Sequence, residues 1–352
     1  MKKVKNLTLL GSYALTLFLI GAVTFSSCKP EEPTEKKDPI AGVYVAGFTA
    51  DASDILTAIL WKNGVATKLS DGTRDAWATS VVVSGNNVYV AGSAKNESRK
   101  LVAKLWKNGV ATDLSDGSEY AHATCVFVSG SDVYVTGYEG KYAVLWKNGI
   151  ATNLTNGSKD ALASSVFAAG SDVYVAGYEG SCAMLWKNGV PTKLSDGKYN
   201  YNNRHDEAYS VFVSGTDVYV AMLEYNTNSW DDGRIKLWKN GEKTQLSEYD
   251  YAPEDVSPSV YVSGNDVYVA GGWSKEKLWK NGVPQQLNDD GNGSIGYSVF
   301  VLGSDVYVGG SARPEYPGPW SACLWKNGEI QFLSGVTGHF LYNRALSVFV
   351  VK

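Results

Sequence analysis

The five-residue phrase Leu-Trp-Lys-Asn-Gly occurs seven times in this chain of 352 residues. The copies begin at Leu60, Leu105, Leu145, Leu185, Leu237, Leu278 and Leu324. A Val-Tyr-Val segment precedes every copy. A segment spelled like Ser-Val-Phe-Val also occurs seven times, beginning at Ser80, Cys125, Ser165, Ser210, Ser259, Ser298 and Ser347. A repeat of roughly 40–50 residues that contains only short strand-like runs is typical of a propeller blade.

Each unit reads as four strands, which we label A to D. Strand A is the Ser-Val-Phe-Val segment, strand B is Val-Tyr-Val-Ala-Gly, strand C ends in Leu-Trp-Lys, and strand D is Ala-Thr-x-Leu-Ser. Asn-Gly between strands C and D is the strongest two-residue hairpin signal, because a type I′ turn needs positive φ at both positions. The sequence therefore predicts an all-β fold, a seven-bladed β-propeller with four-stranded blades, over residues 41–352.

The two ends of the repeat array complement each other. The array begins with a strand B, residues 43–47, and ends with a strand A, residues 347–350, so each end lacks the strand that the other supplies. An open solenoid would need capping repeats at both ends. We therefore expect a ring closed by the C-terminal strand A pairing with the N-terminal strand B, and a monomeric assembly.

Residues 1–28 are predicted to be a lipoprotein signal peptide. Lys2, Lys3 and Lys5 precede a largely apolar run that ends at Cys28, which is the pattern of a secretory signal. The end of this run resembles a bacterial lipobox, and the resemblance implies cleavage before Cys28 and lipidation of its thiol. The alternative is a retained N-terminal membrane helix.

Residues 29–40 are charged and rich in proline, which predicts a flexible tether. The pair Glu31-Glu32 resembles the export signal of Bacteroidetes lipoproteins. That resemblance implies a lipid anchor in the outer membrane at the cell surface, and the periplasmic face stays open as the alternative.

The repeats themselves resemble a known group of extracellular proteins. The Leu-Trp-Lys-Asn-Gly copies and their spacing over residues 43–351 are similar to the HAF-type repeats of β-propeller lipoproteins from Bacteroidetes. The chain departs from the HAF pattern where Asp-Gly-Ser replaces the usual Gly-Gly before the next repeat. The resemblance implies an extracellular propeller and no catalytic residues.

Composition excludes several classes of partner. The net charge of −4 gives no basic surface for nucleic acid. The three histidines lie in different repeats without ligand spacing, so neither a metal site nor a cofactor is expected. The remaining cysteines, Cys125, Cys182 and Cys323, are expected to be buried thiols rather than disulfides.

Comparison of the seven copies distinguishes the two faces of the predicted disc. Seven residues separate the Trp of strand C from the Leu of strand D in every copy, whereas 6 to 14 residues connect strand B to the Leu of strand C, and 9 to 14 connect strand D to the next strand A. In an up-and-down blade, the A–B and C–D turns share one face, which we call the repetitive face. The B–C and D–A loops share the other, the variable face, where we expect function.

The variable face also carries most of the unusual side chains. The four Trp outside strand C and all three His fall in its loops. Aromatic rings interleaved with Asp, Asn and Arg suit a glycan platform, and they equally suit a protein hot spot. The candidate ligand-binding residues are Trp77, His122, Tyr199, Tyr201, Arg204, Glu207, Trp230, Asp231, Asp232, Trp273, Trp320 and Arg344.

Three functions follow from these candidates. The first is a cell-surface lipoprotein that binds a glycan. The alternative is a scaffold that docks onto an outer-membrane protein complex. The third is a carbohydrate-active hydrolase or lyase that uses Glu207, His122 and Arg344, the ionisable members of the set three residues before each strand A. A polar lining of a water-filled channel is the simpler interpretation of that set.

Overall fold

A computed structural model gives the arrangement of the repeats. It describes residues 41–51, 53–197, 205–225, 232–247, 250–251, 256–272, 277–289, 291–333 and 343–352. The predicted signal peptide, the tether and Cys28 lie outside these residues. The described residues form strands and turns. No helix long and apolar enough to cross a membrane is found among them.

Seven antiparallel sheets of four strands each form the blades. Blade 1 consists of β29 (Arg344–Val351), β1 (Gly42–Ala50), β2 (Leu56–Lys62) and β3 (Val65–Lys68), and blade 2 of β4 (Ala76–Ser84), β5 (Asn87–Lys95), β6 (Leu101–Lys107) and β7 (Val110–Asp113). Blade 3 consists of β8 (Ala121–Ser129), β9 (Asp132–Glu139), β10 (Tyr142–Lys147) and β11 (Ile150–Asn153), and blade 4 of β12 (Ala161–Ala169), β13 (Asp172–Glu179), β14 (Cys182–Lys187) and β15 (Val190–Lys193).

The other three blades follow in the same order. Blade 5 consists of β16 (Glu207–Ser214), β17 (Asp217–Tyr225), β18 (Asp232–Lys239) and β19 (Glu242–Gln245), with the short β20 (Asp250–Tyr251) also paired to β18. Blade 6 consists of β21 (Ser259–Ser263), β22 (Asp266–Ala270), β23 (Leu278–Lys280) and β24 (Val283–Gln285). Blade 7 consists of β25 (Ser294–Leu302), β26 (Asp305–Ala312), β27 (Ser321–Lys326) and β28 (Glu329–Phe332).

The predicted closure is confirmed. Strand β29, from the C-terminal end, pairs antiparallel with β1, with Gly42 opposite Val351 and Tyr44 opposite Phe349. Blade 1 thus takes its innermost strand from residues about 300 positions away in the sequence, and the sevenfold β-propeller is joined into a ring without a free innermost strand.

Strand A is longer than the sequence pattern predicts. In blades 2, 3, 4 and 7 it begins four residues before the Ser-Val-Phe-Val segment, and a bulge interrupts its pairing with strand B, as between Ala123 and Cys125. The bulge brings the strand A backbone close to strand B. A Cβ on Gly137 would lie 1.8 Å from the carbonyl oxygen of His122, which explains the glycine at this position of strand B in most blades.

The repeated tryptophans form the packing between blades, as predicted. Six of the seven are 0–1% exposed: Trp61, Trp106, Trp146, Trp186, Trp279 and Trp325. Trp146 of blade 3, for example, packs with Val82 and Tyr89 of blade 2. The seventh, Trp238, is partly buried. Each of these indole rings therefore fills the space between the sheets of two neighbouring blades.

The repetitive face is built from one small cluster of side chains that recurs in five blades. In blade 3, Lys147 pairs with Asp132 at 2.7 Å and lies over the Tyr134 ring. Asn148, with φ of 53°, donates its side-chain amide to Asp132 and accepts the backbone N–H of Val133. Blades 4 to 7 repeat these contacts with Asp172, Asp217, Asp266 and Asp305. The repeated Lys and Asn therefore hold the two turns of the blade together in these five blades.

Candidate functional site: an axial cavity beneath the variable face

A cavity of about 330 Å³ lies on the axis of the ring. Strand A of every blade contributes to its wall, and the lining residues lie in the half of strand A that begins at the variable face. Hydroxyl-bearing residues predominate in the wall: Thr79, Ser80, Thr124, Ser164, Ser165, Tyr209, Ser210, Ser257, Ser259, Tyr297, Ser298 and Ser347. The wall therefore presents many hydroxyl groups set among apolar carbon atoms, and the cavity continues the variable face inward.

A circle of hydroxyls links the blades around this cavity. Ser80 accepts the backbone N–H of Val126 in the next blade, and Ser347 of blade 1 accepts that of Val81, which closes the circle. Ser165, Ser210, Ser259 and Ser298 make the equivalent bonds at 3.1–3.4 Å. In blade 3 the thiol of Cys125 takes the serine position and accepts the N–H of Val166. The repeated serine of strand A is therefore an inter-blade acceptor.

A second ring surrounds the axis two residues further along strand A, toward the repetitive face. Its members are Phe127, Phe167, Phe212, Tyr261, Phe300 and Phe349, with Val82 in blade 2. Successive aromatic rings have centroids 4.7–5.0 Å apart and are tilted against each other. The hydroxyl-bearing cavity thus lies between the variable face and a ring of aromatic contacts.

Glu207 is the acidic group of the cavity and is 6% exposed. Its Oε1 accepts a hydrogen bond from Ser164 at 2.6 Å, and its Oε2 lies 3.5 Å from Nε2 of His205. Burial raises the pKa of Tyr209 well above its usual range, and the hydrogen bond to Glu207 and the charge of that carboxylate add to the shift. Tyr178 stacks on His205 with ring centroids 3.7 Å apart.

His122, on blade 3, also lines the cavity. Its Nδ1 shares a hydrogen bond of 2.5 Å with the buried hydroxyl of Ser93. Burial lowers the pKa of His122 to about 4, so the ring is neutral at pH 7. The imidazole is therefore a hydrogen-bonding group rather than a cation in this cavity.

The residues three positions before each predicted strand A divide into two groups, and all of them except Val256 lie within the extended strand. His122, Leu162 and Glu207 line the cavity, whereas Trp77, Val256, Ile295 and Arg344 are not among its lining residues. The Arg344 guanidinium lies over the rings of Phe48 and Tyr297, at 5.9 and 5.8 Å from their centroids. The structure thus brings two of the three ionisable candidates to one cavity and leaves Arg344 on an aromatic surface.

Trp320 belongs to a separate cluster on the variable face, in the B–C loop of blade 7. Arg313 lies over the Trp320 ring at 4.8 Å and over the Tyr316 ring at 5.4 Å. Tyr316 is 71% exposed, and Trp320 is half-buried. Asn343 donates its side-chain amide to the backbone oxygen of Trp320, which holds the loop. The cluster offers aromatic and cationic groups to solvent.

Several predicted ligand-binding residues lie outside the described residues. They are Tyr199, Tyr201, Arg204, Trp230, Asp231 and Trp273, while Asp232 is placed by its backbone alone, at the start of β18. Trp77, in β4, is half-buried and pairs with Ser93 in β5.

An acidic cluster on blade 5 does not appear in the sequence pattern, because its members come from separate segments. Carboxylate oxygens of Asp196, Asp206 and Glu224 lie within 4.8 Å of one another. Lys236 and Lys243 pair with Glu224 at 2.8 and 3.1 Å. Burial raises the pKa of Asp206. The two lysines supply positive charge to this cluster.

No family model matches the sequence, and neither does any curated protein. Among solved structures, the chain is similar to the acylaminoacyl peptidase of Pyrococcus horikoshii, at 16% identity and a TM-score of 0.41, over 74% of this chain and 46% of that one. It is also similar to a puromycin-hydrolyzing peptidase of Mycobacterium tuberculosis, at 12% identity and a TM-score of 0.41, over 73% of this chain and 53% of that one.

A third solved structure is the β-propeller domain of the Trilobed protease from Pyrococcus furiosus. Its identity to this chain is 12%, its TM-score is 0.41, and the match covers 74% of this chain and 85% of that one. The chain spans about half the length of the two peptidases. Likeness at this level concerns the fold alone, and the β-propeller assignment rests on the strand pairing described above.

Proposed function

We propose that this protein is a cell-surface lipoprotein that binds an extracellular glycan through its variable face. The observation that carries the proposal is the axial cavity with its many hydroxyls and Glu207, which opens among the loops that differ between blades. Sugars present hydroxyls that both donate and accept hydrogen bonds, and their ring faces stack on aromatic side chains. The variable face provides both kinds of group.

The Arg313–Tyr316–Trp320 cluster supports the same proposal. Exposed aromatic side chains beside a guanidinium form a surface for stacking at the rim of the ring. By contrast, the polar groups of the repetitive face are occupied in bonds within each blade. Lipidation of Cys28 would tether the ring to the outer membrane.

The test is binding of the full chain, purified in detergent, to a broad array of polysaccharides and animal glycans. We expect at least one class of glycan to bind. The double variant Arg313→Ala/Trp320→Ala should bind that glycan at least tenfold more weakly. Ile150→Ala is the matched control, because Ile150 is 74% exposed beside a turn of the repetitive face. An array without a single hit would overturn the proposal and favour docking onto an outer-membrane protein.

A further inference from the structure

We infer that the axial cavity is the subsite for one terminal sugar unit of that glycan, with Glu207 as acceptor and an arc of serine hydroxyls as donors. The inference rests on the proposed function and specifies which part of the ligand enters the ring. Four features of the molecule support it: the serine hydroxyls, the Glu207 carboxylate, the shape of the cavity and a break in the repeat at blade 5.

The serine hydroxyls of the circle are not equivalent. Every one accepts an N–H from the next blade, so its own hydrogen must be donated elsewhere. Ser80 and Ser165, on either side of Cys125, donate to its sulfur. Ser210, Ser259, Ser298 and Ser347, on blades 5, 6, 7 and 1, have no acceptor for the hydroxyl hydrogen among the described residues. Because all four line the cavity, it contains an arc of four available donors.

Glu207 supplies the acceptor that this arc lacks. Its described partners are Ser164, His205 and Tyr209, and no lysine or arginine pairs with it within the described residues. A buried carboxylate favours further donors, since a charge removed from water needs hydrogen bonds. A sugar hydroxyl or a sugar ammonium would satisfy it, while other hydroxyls of the same ring accept from the serines.

Donors and acceptor together discriminate among ligand classes. An anion would accept from the serine arc but would be repelled by Glu207. A simple alkylammonium would pair with Glu207 but leave the four serine hydroxyls without an acceptor. A polyhydroxylated ring meets both requirements, and an amino sugar meets them with an additional charge. The chemistry therefore points to a sugar.

The shape of the cavity favours a chain end. Strands A of all seven blades surround it, so a ligand enters only along the axis. The middle of a polymer would need a groove that is open at two sides. The volume of about 330 Å³ is at the lower end of the range for small-molecule pockets, about 300–1,000 Å³. It suits one or two sugar rings.

Blade 5 breaks the repeat beside Glu207, where Glu207 pairs with Leu223 of strand B and Ala208 pairs with Met222. Met222 stands in strand B where the other six repeats have glycine, and it is fully buried. The glycine in blade 3 allows a carbonyl to approach within 1.8 Å of where a Cβ would lie, which Met222 cannot permit at Glu207. The bulge of strand A lies at the same place in blade 5 as in blade 3, between Ala208 and Ser210, so the backbone beside Glu207 must lie farther from strand B than in blade 3.

The test is saturation-transfer NMR on the full chain in detergent. The probes are glucose, galactose, mannose, N-acetylglucosamine and glucosamine, with linear β-1,4-linked trisaccharides of glucose and of N-acetylglucosamine. We expect saturation to be concentrated on one terminal ring of a trisaccharide. Stronger binding of glucosamine than of glucose, lost in Glu207→Gln, would show that Glu207 contacts an ammonium. Equal binding would show that it contacts a hydroxyl.

Variants separate this inference from the proposed function. We expect Glu207→Gln to weaken binding at least tenfold, and Ser259→Ala or Ser298→Ala to weaken it about three- to tenfold. Ser115→Ala is the matched control, because Ser115 also accepts a backbone N–H, from Ala103, but is not among the residues that line the cavity, so its affinity should change less than twofold. Melting curves check that all four variants are folded.

Three results would overturn the inference, and they differ in what they leave of the proposed function. If the three cavity variants bind like the wild type while Arg313→Ala/Trp320→Ala does not bind, the glycan lies on the rim, and the proposed function stands without the axial subsite. If saturation is spread evenly along the trisaccharide, the chain end is not the part that is recognised. If no probe and no glycan of the array binds, the inference and the proposed function fail together.

Discussion

The two faces of this ring use the same scaffold in opposite ways. On the repetitive face, the Asp, Lys, Tyr and Asn side chains of a blade bond to one another, so the contacts of blade 3 around Asp132 recur around Asp172, Asp217, Asp266 and Asp305. On the variable face, equivalent positions carry unlike residues such as His122, Leu162 and Glu207. Repetition in the sequence thus marks groups that are used for folding.

The difference also indicates where ligand binding is available. A side chain that already has its partners within the blade has little to offer a ligand. The serine circle shows both cases in one ring, because Ser80 donates to Cys125 whereas Ser259 has no described acceptor. Cys125, which replaces the repeated serine in blade 3, therefore changes which of the neighbouring serine hydroxyls are available to a ligand. The following predictions test this contrast, beginning with the largest effect.

Deletion of residues 345–352 should have the largest effect, because it removes most of β29 and with it the strand that pairs with β1. We expect loss of the cooperative melting transition or assembly into oligomers through the exposed edge of β1. Thermal unfolding and size-exclusion chromatography are the measurements. Deletion of Lys352 alone is the control. A truncated chain that melts at the wild-type temperature would mean that the two faces do not belong to one closed disc.

Trp186→Ala should destabilise the protein by about 3–5 kcal/mol, because Trp186 is 0% exposed and fills the wedge between two blades. Trp320→Ala, on the variable face, should change the free energy of unfolding by about 0.5 kcal/mol or less. Denaturant unfolding measures both. Comparable losses in the two variants would show that the loop tryptophan supports the fold rather than binding.

Acidification should destabilise the wild type through His122. Its pKa is about 4 in the folded state and about 6.5 when unfolded, so the unfolded chain binds more protons between these values and stability falls as the pH is lowered through them. From pH 7 to pH 5 this contribution is about 1–2 kcal/mol. His122→Asn should remove it. Parallel curves of stability against pH for both proteins would contradict the burial of this ring.

Asn148→Ala should cost about 1–2 kcal/mol, because alanine is strained at a φ of 53° and the bonds to Val133 and Asp132 are lost. Asn63→Ala should cost less. Asn63 has a similar φ of 51° and accepts the N–H of Val43, but Gly42 stands where blade 3 has Asp132. Equal costs in denaturant unfolding would show that the carboxylate does not contribute to the repeated cluster.

The sequence was sufficient for the architecture, because every blade repeats the same turn and packing signals. Asn-Gly predicts the C–D hairpin, the unmatched strands at the ends predict the closure, and the strand C tryptophans predict the inter-blade core. The start of strand A was placed up to four residues late, since the residues before Ser80 or Ser165 vary and a bulge interrupts the pairing.

The site was less predictable than the fold. Glu207 and His122 were identified as departures from the repeat, and the structure places both in one cavity. The same reasoning grouped Arg344 with them, but whether it lines the cavity or stacks on Phe48 depends on side-chain packing that spacing does not encode. The serine arc was missed for a similar reason, because its role depends on bonds between blades. Only the exception, Cys125, could have drawn attention to it.

The most direct test of the account attaches a bulky polymer to one face at a time and measures glycan binding. Tyr316→Cys places a reactive thiol on the variable face, and Ile150→Cys places one beside the repetitive face. Both positions are more than 70% exposed. After coupling to a maleimide polymer, the account predicts that the Tyr316→Cys protein no longer binds the glycan, whereas the Ile150→Cys protein binds as before. Loss of binding only in the Ile150→Cys protein, or in neither, would contradict the assignment of ligand binding to the variable face.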